Sequence, residues 1–352
     1  MKKSLSLILF LVLSILFLEA QIQKEIFEFQ YEGKTLNGVL NKPNEVEPAG
    51  LVLIIHGSGQ TNAVAQEWYY DVRSTLVQAG FSVYMWDKMG CGKSEGKFDY
   101  HQSIQSSASE AIAAIEELKK QKIAGVDKIG LWGISRAGWI NPLIINQYEN
   151  IQFWISVSGV DEKENFKYLL EENLRINGHP EDSIQLLVEE WKMGQIIAHE
   201  GGSFEACVKA TSNLSKNAFM KRFNGSEATK EDYLAWQKDF MQQPFDKQTG
   251  LVSSVENFDS ILSEVQCPVL ALFGEKDKNV DWKKTKALYE NTLGIHTDLT
   301  IHSFPNCNHN LFECKTGGFY EMQDDNLPWN RCRGALEAMA EWLVEKGFVE
   351  KE

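Results

Sequence analysis

Beyond its first twenty residues, the 352-residue chain has no apolar run approaching the ~20 residues that a spanning helix needs, so no helical membrane span is expected there. Basic residues are in deficit, 35 Lys and Arg against 49 Asp and Glu, and they are scattered. A net charge of −14 without a basic stripe argues against a nucleic-acid footprint. The six cysteines include no CxxC pair, and no cysteine or histidine spacing suits a metal, so neither a metal nor any other cofactor is expected. No internal repeat or low-complexity tract stands out, and no cysteine directly follows the first apolar run, which removes a bacterial lipoprotein-type anchor.

That first run has its own meaning. Lys2 and Lys3 precede an apolar stretch from Leu5 to Leu18 that ends near Ala20. This is the pattern of an export signal over residues 1–20, and it predicts a periplasmic or secreted protein. Left uncleaved, the segment would be a membrane anchor instead. Disulfides are permissible in an exported chain, and Cys307, Cys314 and Cys332 lie close together. One bridge among them and a set of buried free thiols both fit.

Residues 25–41 hold two alternating stretches around the turn Glu32-Gly33-Lys34, an antiparallel hairpin at a sheet edge. From Leu51 the pattern changes to continuous apolar β-rich runs, at 51–55, 81–86, 129–132, 151–157, 269–273 and 299–304. Such strands are buried on both faces. Helix-like segments near 66–79 and 104–120 alternate with them, which predicts a mostly parallel sheet with helices on both faces. The alternation fails between 161 and 260. Residues 181–200 and 229–242 there have helical spacing, the second opening on a Thr229/Asp232 capping pattern, and no strand is expected. The segment is read as a helical cap over the carboxyl edge of the sheet, or as ordinary surface helices. The organisation is therefore 1–20 signal, 21–160 first part of the core, 161–260 cap, and 261–352 second part of the core.

Chemistry concentrates at strand ends. Gly133-Ile134-Ser135-Arg136-Ala137-Gly138 sets a serine between small residues, after a strand and before a helix. A tight corner of that kind presents a hydroxyl to a base and tolerates no bulk around it. His56-Gly57-Ser58-Gly59 follows the strand 51–55, and Asp87-Lys88-Met89-Gly90-Cys91-Gly92-Lys93-Ser94 follows the strand 81–86. The piece Gly-Cys-Gly-Lys-Ser mimics the tail of a phosphate-binding loop, but Asp87 stands where that loop needs a glycine, so nucleotide binding is rejected. Asp277 and His309 each follow a later strand, giving the order Ser135, Asp277, His309. Asp281 and Glu275 compete for the acid. His302 reads as structural, and His101, His179, His199 and His296 read as exposed.

Together these motifs resemble the α/β-hydrolase superfamily over residues 25–160 and 262–348, and within it the exported esterase and dienelactone-hydrolase-like group related to prolyl-oligopeptidase catalytic domains. The resemblance implies a nucleophilic Ser135, a base His309 and an orienting acid Asp277. It implies an oxyanion hole from the backbone N–H groups of Ser58 and Arg136, with Gly57 and Gly59 letting the backbone approach the substrate. The sequence departs from the family in having Ala137 where the last elbow glycine usually sits. The Arg136 guanidinium could meet an acidic substrate group or form a structural ion pair. The activity so implied is hydrolysis of small or medium carboxylic esters or thioesters through an acyl-enzyme. A serine peptidase and a non-catalytic ligand-binding member of the fold are the alternatives. The only partner expected is a small-molecule substrate, and the oligomeric state is open.

Overall fold

The computed structural model describes residues 22–44, 46–161, 165–225, 229–252 and 255–349. The expected export segment lies outside the described residues. The chain opens with the hairpin β1 (Gln23–Tyr31) and β2 (Lys34–Lys42), then runs β3 (Gly50–Ile55), α1 (Tyr70–Gln78), β4 (Phe81–Trp86), α2 (Ile104–Lys120), β5 (Ile129–Ile134), α3 (Ala137–Gln147) and β6 (Ile151–Val157). Five helices follow: α4 (Phe166–Ile176), α5 (Glu181–His199), α6 (Phe204–Ala210), α7 (Ala218–Asn224) and α8 (Lys230–Phe240). A two-residue-stranded ribbon, β7 (Phe245–Asp246) and β8 (Leu251–Val252), leads through α9 (Phe258–Ser263) to β9 (Val269–Gly274). The chain ends on α10 (Trp282–Asn291), α11 (Leu293–His296), β10 (Leu299–Phe304), α12 (Glu321–Asp324) and α13 (Ala335–Glu345).

The main sheet has eight strands in the order β1-β2-β4-β3-β5-β6-β9-β10. β1 and β2 pair antiparallel at one edge, β2 also meets β4 antiparallel, and from β4 to β10 every pairing is parallel. This is the mostly parallel sheet and edge hairpin that the apolar runs predict. All six residues of each of β3, β4, β5 and β9 are buried, because helices cover both faces. Tyr84, Trp86, Trp154 and Phe273 pack on one face and Trp132, Phe153 and Trp342 on the other, so the core is two aromatic-rich layers separated by the sheet.

Strand order reverses between β3 and β5, which pair in parallel from Leu51/Ile129 to Ile55/Gly133. The loops leaving the carboxyl ends of two such strands diverge and leave a crevice, the usual ligand position in an open α/β sheet. His56-Gly57-Ser58-Gly59 leaves β3 and Ser135 leaves β5, so both motifs flank that crevice.

Helices α4, α5 and α7 share one small core, with Leu170, Leu174, Ile184, Leu187, Trp191 and Phe219 in it, while α8 and the end of α5 share a second, with Ala198, Tyr233 and Phe240, against which Phe204 of α6 packs. The capping pattern at Thr229 is real: its side chain accepts from the Asp232 N–H, and the Asp232 carboxylate accepts in return from the Thr229 N–H. The ribbon β7–β8 corrects the expectation that residues 161–260 contain no strand. Each strand is two residues long, too short to leave a period-2 pattern in the sequence. Among the described residues no helix is long and apolar enough to cross a membrane.

Candidate active site

Ser135 sits at φ +57°, a left-handed conformation that a non-glycine residue rarely adopts. The turn is fixed from both sides, by the Ser135 N–H donating to Val157 O at 3.0 Å and the Gly138 N–H donating to Ser135 O at 2.7 Å. Crowding explains the small neighbours. A Cβ added to Gly133 would lie 2.5 Å from Asn141 Nδ2 and 2.7 Å from Ala137 Cβ, and one on Gly138 would lie 2.8 Å from Val160 N. The same contact explains why Ala137 is tolerated: its methyl occupies the space left by Gly133.

The later partners meet. His309 Nδ1 donates to Asp277 Oδ2 at 2.7 Å, and both side chains are buried. Asp277 Oδ1 accepts the N–H groups of Asn279 at 2.8 Å and Val280 at 3.0 Å, so the carboxylate has fixed donors on both oxygens. With the proton held on Nδ1, the Nε2 lone pair is left to act as a base. The competing acids are engaged otherwise. Asp281 caps α10 and Glu275 is exposed, accepting from Ser303 Oγ at 2.7 Å.

The histidine loop is braced. Cys307 and Cys332 form a disulfide across 25 residues, while Cys314 is free. Arg331 donates to Asn310 O at 2.5 Å and pairs with Asp71 at 2.6 Å, tying the residue after His309 to α1. Reducing the bridge, or replacing Cys332 with Ser, is expected to lower stability by about 3 kcal/mol from the loop it closes. Thermal denaturation with and without reductant checks this; an unchanged midpoint would refute a bridge in solution.

The other motif residues fall around these. Gly57 lies against the elbow, since an added Cβ would be 3.5 Å from Ser135 Cβ. The Gly57 and Gly59 carbonyls both accept from Lys88 Nζ, at 2.6 and 2.7 Å. His56 Nε2 donates to Trp86 O at 2.6 Å. Burial, then the nearby Lys88 ammonium, pushes the His56 pKa down to about 3, so this imidazole is a neutral strut between two loops. Asp87 is buried and accepts from Val64 N, Lys93 N and Asn37 Nδ2, holding its loop closed.

Of the two readings of the Arg136 guanidinium, its contacts favour the structural one, through hydrogen bonds rather than an ion pair. Its guanidinium turns to the start of α2, donating to Ser107 Oγ at 3.0 Å and to Gln102 O. Burial lowers its pKa to about 10, opposed by the Glu110 carboxylate. Two of the supposedly exposed histidines are also half-buried: His199 stacks on Phe245 with centroids 4.5 Å apart, and His179 Nε2 lies 3.3 Å from Asn217 Nδ2.

Helix α4 reaches the loop that carries Asp277. Tyr168 of α4 donates to Asp277 O at 3.0 Å, Asn173 of α4 donates to Lys278 O at 3.2 Å, and Lys278 pairs with Glu172 at 2.5 Å. No motif signals these contacts, because they join residues more than a hundred positions apart.

A serine on a strained strand-to-helix corner and a buried Asp–His pair, in that chain order on a parallel sheet, fit the family model of the serine aminopeptidases S33, which matches residues 46–314. The chain belongs to this family of hydrolases. Its fold is that of the α/β-hydrolases. An esterase of Pyrococcus furiosus is similar at 14% identity and TM-score 0.54, covering 93% of this chain and 92% of that one. Est1E from Butyrivibrio proteoclasticus, solved with ferulic acid, is similar at 17% identity and TM-score 0.51, covering 91% and 97%. Proline iminopeptidase of Mycobacterium smegmatis is similar at 14% identity and TM-score 0.51, covering 91% and 98%. No curated protein matches the sequence. At these identities the S33 member and the three solved proteins share a fold, and the substrate has to be argued from the site.

Proposed function

We propose that the protein is a serine carboxylesterase of small or medium acyl groups. Ser135 Oγ attacks the ester carbonyl while His309 Nε2 takes its proton, and the backbone N–H groups of Ser58 and Arg136 hold the oxyanion. Collapse expels the alcohol, which receives the proton from His309. Water then repeats the sequence on the acyl-enzyme. Asp277 keeps the imidazole in the required tautomer and stabilises the imidazolium. The observation that carries this reading is the buried 2.7 Å bond between His309 Nδ1 and Asp277 Oδ2, since it leaves Nε2 as the one basic atom of the pair.

Aminopeptidase activity is the second reading, and the description of the matching family favours it. An aminopeptidase must hold a substrate ammonium, which calls for a carboxylate beside the nucleophile. The buried carboxylate electrostatically coupled to Arg136 is Glu110, and it is engaged by Trp86 Nε1 at 2.7 Å and Gln102 Nε2 at 2.9 Å. The test has two parts. A fluorophosphonate probe should label the wild type and not Ser135→Ala. On p-nitrophenyl esters of rising chain length beside aminoacyl-naphthylamides, turnover should be confined to the esters. Turnover of the amides alone would replace the first reading by the second, and an unlabelled wild type would sink both.

A further inference from the structure

The loop expected to supply the oxyanion donor is held by a side chain from a different strand's loop. Lys88 lies just past β4, 31 and 29 positions from the two carbonyls that it contacts, and its Nζ bonds both Gly57 O and Gly59 O. These carbonyls bracket Ser58. Gly57 C=O and the Ser58 N–H belong to one planar amide, and in a trans peptide they point in opposite directions; no cis peptide occurs among the described residues. A cation fixed on the carbonyl side therefore sets where the N–H side aims, and by polarising the amide makes that N–H a stronger donor. Gly59, at φ +82°, turns its carbonyl back to the same ammonium.

We propose that Lys88 is the positioning residue of the oxyanion hole, holding and polarising the Gly57–Ser58 amide so that the Ser58 N–H is pre-aimed at the developing oxyanion. The inference rests on the hydrolase reading above. Donors fixed before reaction are effective because nothing need reorganise as charge develops. A plain hydrophobic prop would not need to bury an ammonium at this point, which burial strongly disfavours.

The surroundings make the device sensitive to pH. Burial first, then the Arg136 guanidinium at the foot of α3, lowers the Lys88 pKa to about 7. Glu110 of α2 and Cys91 of its own loop oppose that shift, and the neighbouring His56 ring just past β3 is itself neutral. The ammonium therefore becomes an amine as the pH rises through about 7. The amine keeps N–H groups for both carbonyls and loses the charge that polarises the amide.

Three measurements test the assignment on the intact protein. In the wild type, kcat for a p-nitrophenyl ester should fall by ~3- to 10-fold on an alkaline limb near pH 7, with KM little changed. Lys88→Arg should move that limb beyond pH 9 while keeping substantial activity. Lys88→Met should lose ~30-fold or more in kcat, together with a parallel loss of affinity for a trifluoromethyl ketone that mimics the tetrahedral oxyanion. If Lys88→Met does not fold, the wild-type profile and its displacement in Lys88→Arg decide alone. A wild type that labels at Ser135 and shows no such limb, or a folded Lys88→Met with unchanged kcat, overturns the Lys88 assignment and leaves the hydrolase reading standing. A wild type that does not label overturns both.

Discussion

Replacing His309 with Ala is expected to reduce kcat by about 10⁶-fold, the loss seen when the base of a serine triad is removed. In the proposed mechanism the imidazole is the group through which every proton passes, from Ser135 to the leaving alcohol and from water to Ser135. Folding should survive. His309 lies on a loop held by Cys307–Cys332, by Arg331 on Asn310 O and by the Asn308 side chain, which accepts from the N–H groups of Asn310 and Phe312. None of these uses the ring. Steady-state turnover with circular dichroism on the same sample checks the prediction, and retained activity in a folded variant would remove His309 from the mechanism.

Asp277→Asn should cost about 10⁴-fold in kcat, as tautomer loss does in other triads. The amide keeps the shape, and its oxygen can still accept from Asn279 and Val280, which use Asp277 Oδ1. The amide NH₂ then faces His309 Nδ1, where an acceptor stood, and drives the ring proton to Nε2. The base is thereby lost without moving an atom far. Burst kinetics should show acylation slowed with substrate binding preserved. An unaltered rate would transfer the role to Asp281 or Glu275, which the helix cap of the one and the exposure of the other argue against.

The central strands β3, β4, β5 and β9 were legible because each is a short apolar run closed by a turn and buried on both faces, whereas β10, expected to be buried likewise, lies at the sheet edge and is half-buried or exposed throughout. The corner at Ser135 was legible because steric demand writes itself as Gly133, Ala137 and Gly138. Asp277 and His309 could be ordered along the chain, although their contact is a tertiary event. Other features left no local trace. Lys88 looks like one more residue of the Asp87–Ser94 loop, and its role exists only because β3 and β4 are neighbours that bring Gly57 and Gly59 within reach. Helices α6 and α7 are seven residues each, and their order comes from packing, of Phe219 in α7 among Trp191 and Leu187 and of Phe204 in α6 against Tyr233, rather than from intrinsic propensity. The structural partners of Arg136 left no local trace either, since Ser107 and Gln102 are about thirty residues away in sequence.

The bonds from α4 to the acid loop have a practical consequence for anyone redesigning this protein. Tyr168 and Asn173 grip the backbone at Asp277 and Lys278, so the start of the insertion is part of the chassis and not a detachable cover. Trimming the chain from β6 straight to β9 would take those struts away. Side-chain exchanges further along, in α5 to α8, leave these two bonds in place.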